Sequence, residues 1–219
     1  MTLIFKYNLD KDVYNYMAIN GAKYKGGDSR VLGYYFKKFP DGLTEDNLKK
    51  FIVGYVDYNH IDIDQKLNFI KKSWEKIEAK FIDRANRLFN IDFPLEKFTA
   101  YLTTADRCAL GDAYFFVAVL SSQQNKIIMH ELLHFYTYIA FEKEFSELNE
   151  KQNYDIKETM TELLNLEFSD LIGTPDAGYP QHKELREKFQ QFWQEEKDIK
   201  EAVNKLIDFV CKTGENRKK

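Results

Sequence analysis

Two histidines and a glutamate, His130, Glu131 and His134, lie within five consecutive residues of the chain. If this segment is helical, residues four positions apart share one face, so both imidazoles can face the same ion. Zinc binds neutral imidazole nitrogens and carboxylate oxygens, and a catalytic zinc takes three protein ligands and one water molecule. Glu131 is then free to take a proton from that water. The segment therefore predicts Zn²⁺ as the cofactor and metal-assisted hydrolysis as the chemistry.

The residues around this motif favour a metal site over a chance pattern. The chain has only four histidines, and no other acidic, basic or imidazole side chain lies between Lys126 and Glu142. A solvated surface helix rarely carries so few charges. The alternative is that His130 and His134 are partly buried residues of an amphipathic helix, each bonded to a backbone carbonyl. Glu131 would then be buried and would need a partner of its own.

Residues 127–136 resemble the active-site helix of the zincin metallopeptidases, in which an aliphatic residue precedes the His-Glu-x-x-His motif and the residues within it are uncharged. The resemblance implies a metallopeptidase that acts on peptide or protein substrates. In the metzincin group a glycine and a third histidine follow at positions that Thr137 and Ala140 occupy here, so that group is excluded. In the gluzincin group the third ligand is a glutamate on a later helix. An acid four residues further on often orients a ligand histidine.

Glu158 and Glu162 have the spacing of this gluzincin pair. The resemblance implies Glu158 as the third zinc ligand and Glu162 as the residue that supports a histidine. Glu158 follows His134 by 24 residues (158 − 134), a longer gap than is usual in gluzincins. We expect the polar segment 145–155 to be a connection whose length can vary.

Other assignments of the third ligand remain open. Glu162 is the second choice, followed by Asp155 and Asp170. A simpler interpretation is that Glu158 and Glu162 form the solvent face of an amphipathic helix over residues 155–172, whose core face is apolar.

Tyr179 and His182 follow the predicted ligand helix. Gluzincins usually supply a tyrosine or histidine from this region to stabilise the negative oxygen that develops on the substrate, so these two are the candidates. Each also has a structural interpretation, since Tyr179 could pack a turn and His182 could cap the next helix. Another alternative is an inactive regulatory or interaction module with a structural zinc, for which His182 would be the fourth ligand. A third is a helical interaction protein that binds no stoichiometric metal.

Hydrophobic periodicity predicts the elements that position these residues. The predicted class is α+β, a mostly helical zincin-like domain with a small mixed sheet before the motif helix. Strands are predicted at residues 2–7, 98–103 and 113–120, and residues 114–119 are the candidate edge strand for pairing with a peptide. A glycine-rich loop is predicted around Gly21, Gly26 and Gly27. Helices are predicted from Thr44 onward and at residues 62–89, 155–172, 181–194 and 195–211.

The composition limits the class of protein. A chain of 219 residues with 44% hydrophobic and 31% charged residues suits a single domain. Its expected parts are a mainly helical segment (1–96), a segment with the sheet, motif helix and closing helices (97–211), and a flexible tail (212–219). The net charge of −3 and the mixed charge pattern offer no basic surface for nucleic acid.

The chain also lacks the marks of a secreted or membrane protein. Its longest apolar run, residues 113–120, is too short to cross a bilayer, and no signal segment opens the sequence. The two cysteines, Cys108 and Cys211, suit reduced thiols, and the sequence also leaves open a single disulfide bond between them. We therefore expect a cytoplasmic protein with no nucleic-acid or membrane partner. The sequence leaves its oligomeric state open.

Overall fold

A computed structural model describes residues 3–21, 44–93, 98–106 and 108–216. This part of the chain is mostly helical with one small sheet, as the predicted α+β class requires. It divides into two compact units, residues 1–74 with 94–124 and residues 75–93 with 125–219. These units do not coincide with the expected division near residue 96, and the single domain stays a prediction.

The first unit contains a three-stranded sheet in the order β1-β2-β3, formed by β1 (Ile4–Tyr7), β2 (Thr99–Thr103) and β3 (Tyr114–Ala118). All three strands are parallel. The expected mixed sheet is therefore wrong for these strands, because alternation predicts a strand but the connections decide its direction. Strand β3 lies at one end of this order, and its pairing with a substrate stays a prediction.

The first unit also contains α1 (Leu9–Gly21), α2 (Glu45–Tyr58) and α3 (Ile63–Glu75), the last ending at the unit boundary. Helix α1 packs against α2 and β2. Thr44 begins α2, as predicted, and the structure adds a capping box with Asn47. Asp62 accepts a hydrogen bond from the backbone N–H of Gln65 at the start of α3. Gly21 ends α1, so it lies in a helix, whereas Gly26 and Gly27 lie outside the described residues.

The single helix predicted over residues 62–89 is two helices, α3 and α4 (Glu78–Phe89). Apolar residues continue across the break at Lys76 and Ile77 with no glycine or proline. Periodicity alone therefore contains no sign that the chain turns there.

The second unit is helical throughout its described elements. After α4 follow α5 (Gln124–Ala140), α6 (Glu142–Ser146), α7 (Glu150–Met160), α8 (Leu163–Glu167), α9 (Lys183–Glu196) and α10 (Ile199–Asn216). The motif helix is confirmed as α5. Helix α7 packs against α9 and α10, which also pack against each other.

Tyr136 orients α5 within this unit. Its buried ring stacks on Phe93 with centroids 4.3 Å apart, and its hydroxyl donates to Asn86 Oδ1 at 2.6 Å. Tyr136 follows His134 by two residues, which is about 200° around a helix. The contacts of Tyr136 therefore hold α5 by the face opposite His134.

Three further boundaries differ from prediction. The expected connection at residues 145–155 is largely helical, because α6 ends at Ser146 and Asn149 begins α7 with a capping box. The predicted ligand helix therefore begins before residue 155, and it ends at Met160 with α8 as a separate element. The expected flexible tail is helical over residues 212–216, since a polar sequence can extend a helix that is already formed.

In the described part of the chain, no helix combines the length and the apolar character needed to cross a membrane. Cys108 and Cys211 are not joined in a disulfide bond.

Candidate metal centre

His130, His134 and Glu158 come together in the second unit. The two imidazole rings lie one turn apart on α5 and meet edge to face with centroids 4.6 Å apart. Glu158 reaches them from α7, with Oε2 3.5 Å from His130 Nε2 and Oε1 3.7 Å from His134 Nε2. One ligand atom from each residue lies within 4.8 Å of the others, and no second such group occurs among the described residues. The three side chains could hold a metal ion.

The site is enclosed and leaves polar atoms unsatisfied. Only 2% of His134 and 5% of Glu158 is exposed, and Glu131 is also buried. Glu158 Oε2 and His134 Nδ1 are buried and have no hydrogen-bond partner among the described residues. A buried acceptor without a partner is unfavourable. A cation between Glu158 and the histidines would satisfy Oε2.

Lys157 and the two histidines determine the charge of Glu158. Burial alone would raise the pKa of Glu158, but the nearby imidazoles of His130 and His134 and the charge of Lys157 hold this pKa well below its usual value. Lys157 Nζ lies 2.9 Å from Glu158 Oε1, and its side chain is largely buried. Glu158 is therefore an ionised carboxylate at neutral pH, the form that binds metals.

The two histidines differ in basicity. Burial tends to lower the pKa of His130, but Glu158, whose Oε2 lies 3.5 Å from His130 Nε2, and the charge of Glu131 raise it above its ordinary value. Burial, together with the charges of Lys157 and His130, keeps the pKa of His134 well below the ordinary value. His134 is thus neutral, and neutral imidazole is the metal-binding form.

Glu131 lies beside His130 on α5. Burial raises the pKa of Glu131 to about 7, although His130 and Lys157 partly oppose this rise. A carboxyl group with this pKa can both accept and donate a proton near neutral pH.

Glu162, the predicted support for a histidine, takes part in a different contact. Its Oε2 lies 2.7 Å from Nη2 of Arg186, and Asn165 donates to the same carboxylate. The carboxylate that faces Nδ1 of His130 is Asp176, with Oδ1 at 3.9 Å. The sequence-based assignment therefore missed Asp176.

The other two candidates for the third ligand have partners elsewhere. Asp155 contacts His182 Nε2 at 3.1 Å and pairs with Lys151, while Asp170 pairs with Arg84 at 2.6 Å. Neither carboxylate belongs to the three-residue group. Of the four candidates, Glu158 alone is brought to the histidines.

Tyr179 and His182 also lie outside that group. His182 is 1% exposed, and its ring lies between Tyr154 and Tyr179 at centroid distances of 5.3 and 6.0 Å. His182 precedes α9 but its side chain makes no capping bond, so the capping alternative is wrong. The predicted role of Tyr179 and His182 as donors to the substrate stays a prediction.

Sequence reasoning missed Lys157, Asp176 and Arg186. One local signal was present, since Asp176 and Gly178 lie in a turn-forming segment, and Gly178 has a φ of +60°. Nothing local connects that turn to His130. Comparisons of the chain with known protein families, curated proteins and solved structures found no match.

Proposed function

We propose that this protein is a zinc-dependent hydrolase, a zincin-like peptidase of the gluzincin type. His130, His134 and Glu158 bind the metal, and Glu131 is the general base. The observation that carries this proposal is the convergence of three ligand atoms from α5 and α7 within 4.8 Å. Ligands about 2.1 Å from a tetrahedral zinc lie about 3.4 Å apart. Oε2 of Glu158 lies 3.5 Å from His130 Nε2 and its Oε1 lies 3.7 Å from His134 Nε2, so each histidine is close to this spacing from one of the two oxygens.

The donor set supports zinc in a catalytic site. Two imidazole nitrogens and one carboxylate are ligands that zinc accepts, and three protein ligands leave the fourth position for water or substrate. His182, the candidate for a fourth ligand, contacts Asp155 and is not in the group. This arrangement favours turnover over a closed structural site.

When bound, zinc supplies a Lewis acid that activates water and polarises the scissile peptide carbonyl. Glu131 takes the proton from the attacking water and returns it to the departing amine. Without a metal, burial raises the pKa of Glu131 to about 7, and a carboxylate of raised basicity suits a group that takes and returns a proton. Tyr179 and His182 are the candidates for donating a hydrogen bond to the oxygen that becomes negative.

The alternative from another class is a zincin-like regulatory or interaction module whose zinc is structural. It predicts one zinc ion per chain and no cleavage. A chance motif predicts no stoichiometric zinc at all. These three outcomes can be separated with one preparation of the protein.

The test combines elemental analysis with cleavage of a diverse peptide mixture, read by mass spectrometry. We expect one zinc per chain and cleavage by the wild type. We expect Glu131→Gln to retain zinc and to lose activity by about 10² to 10⁴-fold, the usual contribution of a general base. Glu142→Gln makes the same change at an exposed position of α6 and serves as the control. Full activity of Glu131→Gln would rule out the base assignment.

A further inference from the structure

We propose that Asp176, held by Arg186, is the positioning residue for His130, in place of Glu162. Metal affinity then depends on a contact between the loop at residues 173–178 and α9. This inference rests on the proposed function only in taking zinc as the metal. It assigns a role to residues that the gluzincin spacing does not indicate.

His130 lies between two carboxylates. Its Nε2 faces Glu158 Oε2 at 3.5 Å, and its Nδ1 faces Asp176 Oδ1 at 3.9 Å. With Nε2 directed to the metal, Nδ1 carries the proton and points to Asp176. The 3.9 Å distance exceeds that of a direct hydrogen bond, and a small rotation of the imidazole ring would bring Nδ1 within hydrogen-bond distance of Oδ1. Metal-binding histidines almost always donate their second N–H to such a partner.

The remaining polar atoms of Asp176 are already bonded. Its backbone N–H donates to Asn165 Oδ1 at 2.7 Å, and its carbonyl oxygen accepts from Asn165 at 2.9 Å and from Arg186 at 2.8 Å. Its Oδ2 pairs with Arg186 Nη1 at 3.0 Å. These contacts fix both the backbone and the side chain of Asp176. The oxygen that is left, Oδ1, is the one that faces His130.

Glu162 acts on Arg186 and not on the histidine. The Arg186 side chain is 6% exposed and lies between the carboxylates of Glu162 and Asp176, at 2.7 and 3.0 Å. Its Nη1 also donates to the hydroxyl of Thr161 at 2.7 Å. A buried guanidinium needs such partners. Glu162 therefore supports the group that holds Asp176, one contact further from the metal.

Gly178 lets the loop pass close to Arg186. Its φ is +60°, and a Cβ at this position would lie 2.6 Å from Nη1 and 2.8 Å from Cζ of Arg186. Any side chain here would both strain the backbone and displace the guanidinium. Gly178→Ala is therefore a second way to disturb Asp176 without changing a charge.

The test measures zinc dissociation constants by competition with a chelator. We expect Asp176→Asn to weaken zinc binding by about 10 to 100-fold, the usual effect of losing a supporting carboxylate. Gly178→Ala should also weaken zinc binding. Glu162→Gln should weaken zinc binding less than Asp176→Asn does. Asp170→Asn is the matched control, because Asp170 pairs with Lys80 and Arg84 and not with the ligand group. The zinc dissociation constant of Asp170→Asn should stay within about twofold of the wild-type value, because Asp170 contacts none of the proposed ligand residues.

A second readout separates positioning from general structural damage. Long-range ¹H–¹⁵N NMR of the zinc-loaded protein should show a protonated Nδ1 on His130 that exchanges slowly in wild type and rapidly in Asp176→Asn. A wild-type dissociation constant together with unchanged Nδ1–H exchange in Asp176→Asn would overturn the inference. Wild-type protein that binds zinc but cleaves nothing would overturn the proposed peptidase and leave this inference standing. Wild-type protein that binds no zinc would overturn both.

Discussion

Lys157 Nζ lies 2.9 Å from Oε1 of Glu158, so a buried ammonium group shares this carboxylate with the two histidines. The site thus contains a cation of its own. The same positive charge opposes the approach of a metal dication, because charges of equal sign repel strongly where water is excluded. We therefore expect Lys157 to stabilise the site in the absence of a metal and to weaken metal binding.

Lys157→Met tests both effects, because methionine is similar in shape and carries no charge. Without zinc, we expect the free energy of unfolding to fall by about 3 kcal/mol, since Glu158 loses its buried partner. Zinc affinity should rise. Urea denaturation without metal and chelator competition measure the two quantities. Lys151→Met, at an exposed lysine of the same helix, is the control. A weaker zinc affinity in Lys157→Met would contradict this account.

The identity of the third ligand is tested by Glu158→Ala and Glu162→Ala. We expect Glu158→Ala to lose stoichiometric zinc, because two imidazoles alone do not complete a three-ligand site. Glu162→Ala should retain zinc after dialysis, since Glu162 contacts Arg186. Elemental analysis of the two purified variants distinguishes them. Loss of zinc in Glu162→Ala alone would reverse the assignment.

Zinc affinity should fall on acidification because His130 must lose its proton to bind the metal. Its pKa is raised above the ordinary value of 6.5, so protonation competes with zinc already near neutral pH. His134 and Glu158 have lowered pKa values and stay unprotonated in this range. We therefore expect a loss approaching tenfold per pH unit below the pKa of His130, as one competing proton requires. Competition titrations between about pH 8 and about pH 6 measure this slope. A loss approaching a hundredfold per unit would mean that a second group of the site, such as Glu131 with its pKa of about 7, also titrates.

The contacts of Tyr136 predict the stability of the helix that carries the motif. Tyr136→Phe removes the hydrogen bond to Asn86 and should lower the free energy of unfolding by about 1 kcal/mol. Tyr136→Ala also removes the stacked ring and should cost about 3 to 5 kcal/mol. Chemical denaturation measures both changes. Tyr138→Phe, at a residue of α5 that is 37% exposed, is the control. Equal stabilities for Tyr136→Ala and wild type would show that these contacts do not hold α5.

Local sequence patterns were sufficient to predict some elements of the structure. The face shared by His130 and His134 follows from helical geometry, and the capping residues Thr44 and Asp62 act within one turn, so both could be predicted. The break between α3 and α4 and the parallel direction of the sheet could not, because each depends on where distant segments pack. The capping box at Asn149 was a usable signal for the start of α7.

The sequence by itself determined the motif helix and the residue types of the site, because four-residue spacing and side-chain chemistry are local properties. Only the tertiary structure decided that Glu158 and not Glu162 reaches the histidines, since this depends on how α7 lies against α5. The same holds for Asp176, which meets His130 because Arg186 and Asn165 hold a loop that sequence spacing cannot place. Proposed ligands that lie one helical turn apart, such as His130 and His134, can be predicted from the sequence. The contacts that support them come from segments that only folding brings together.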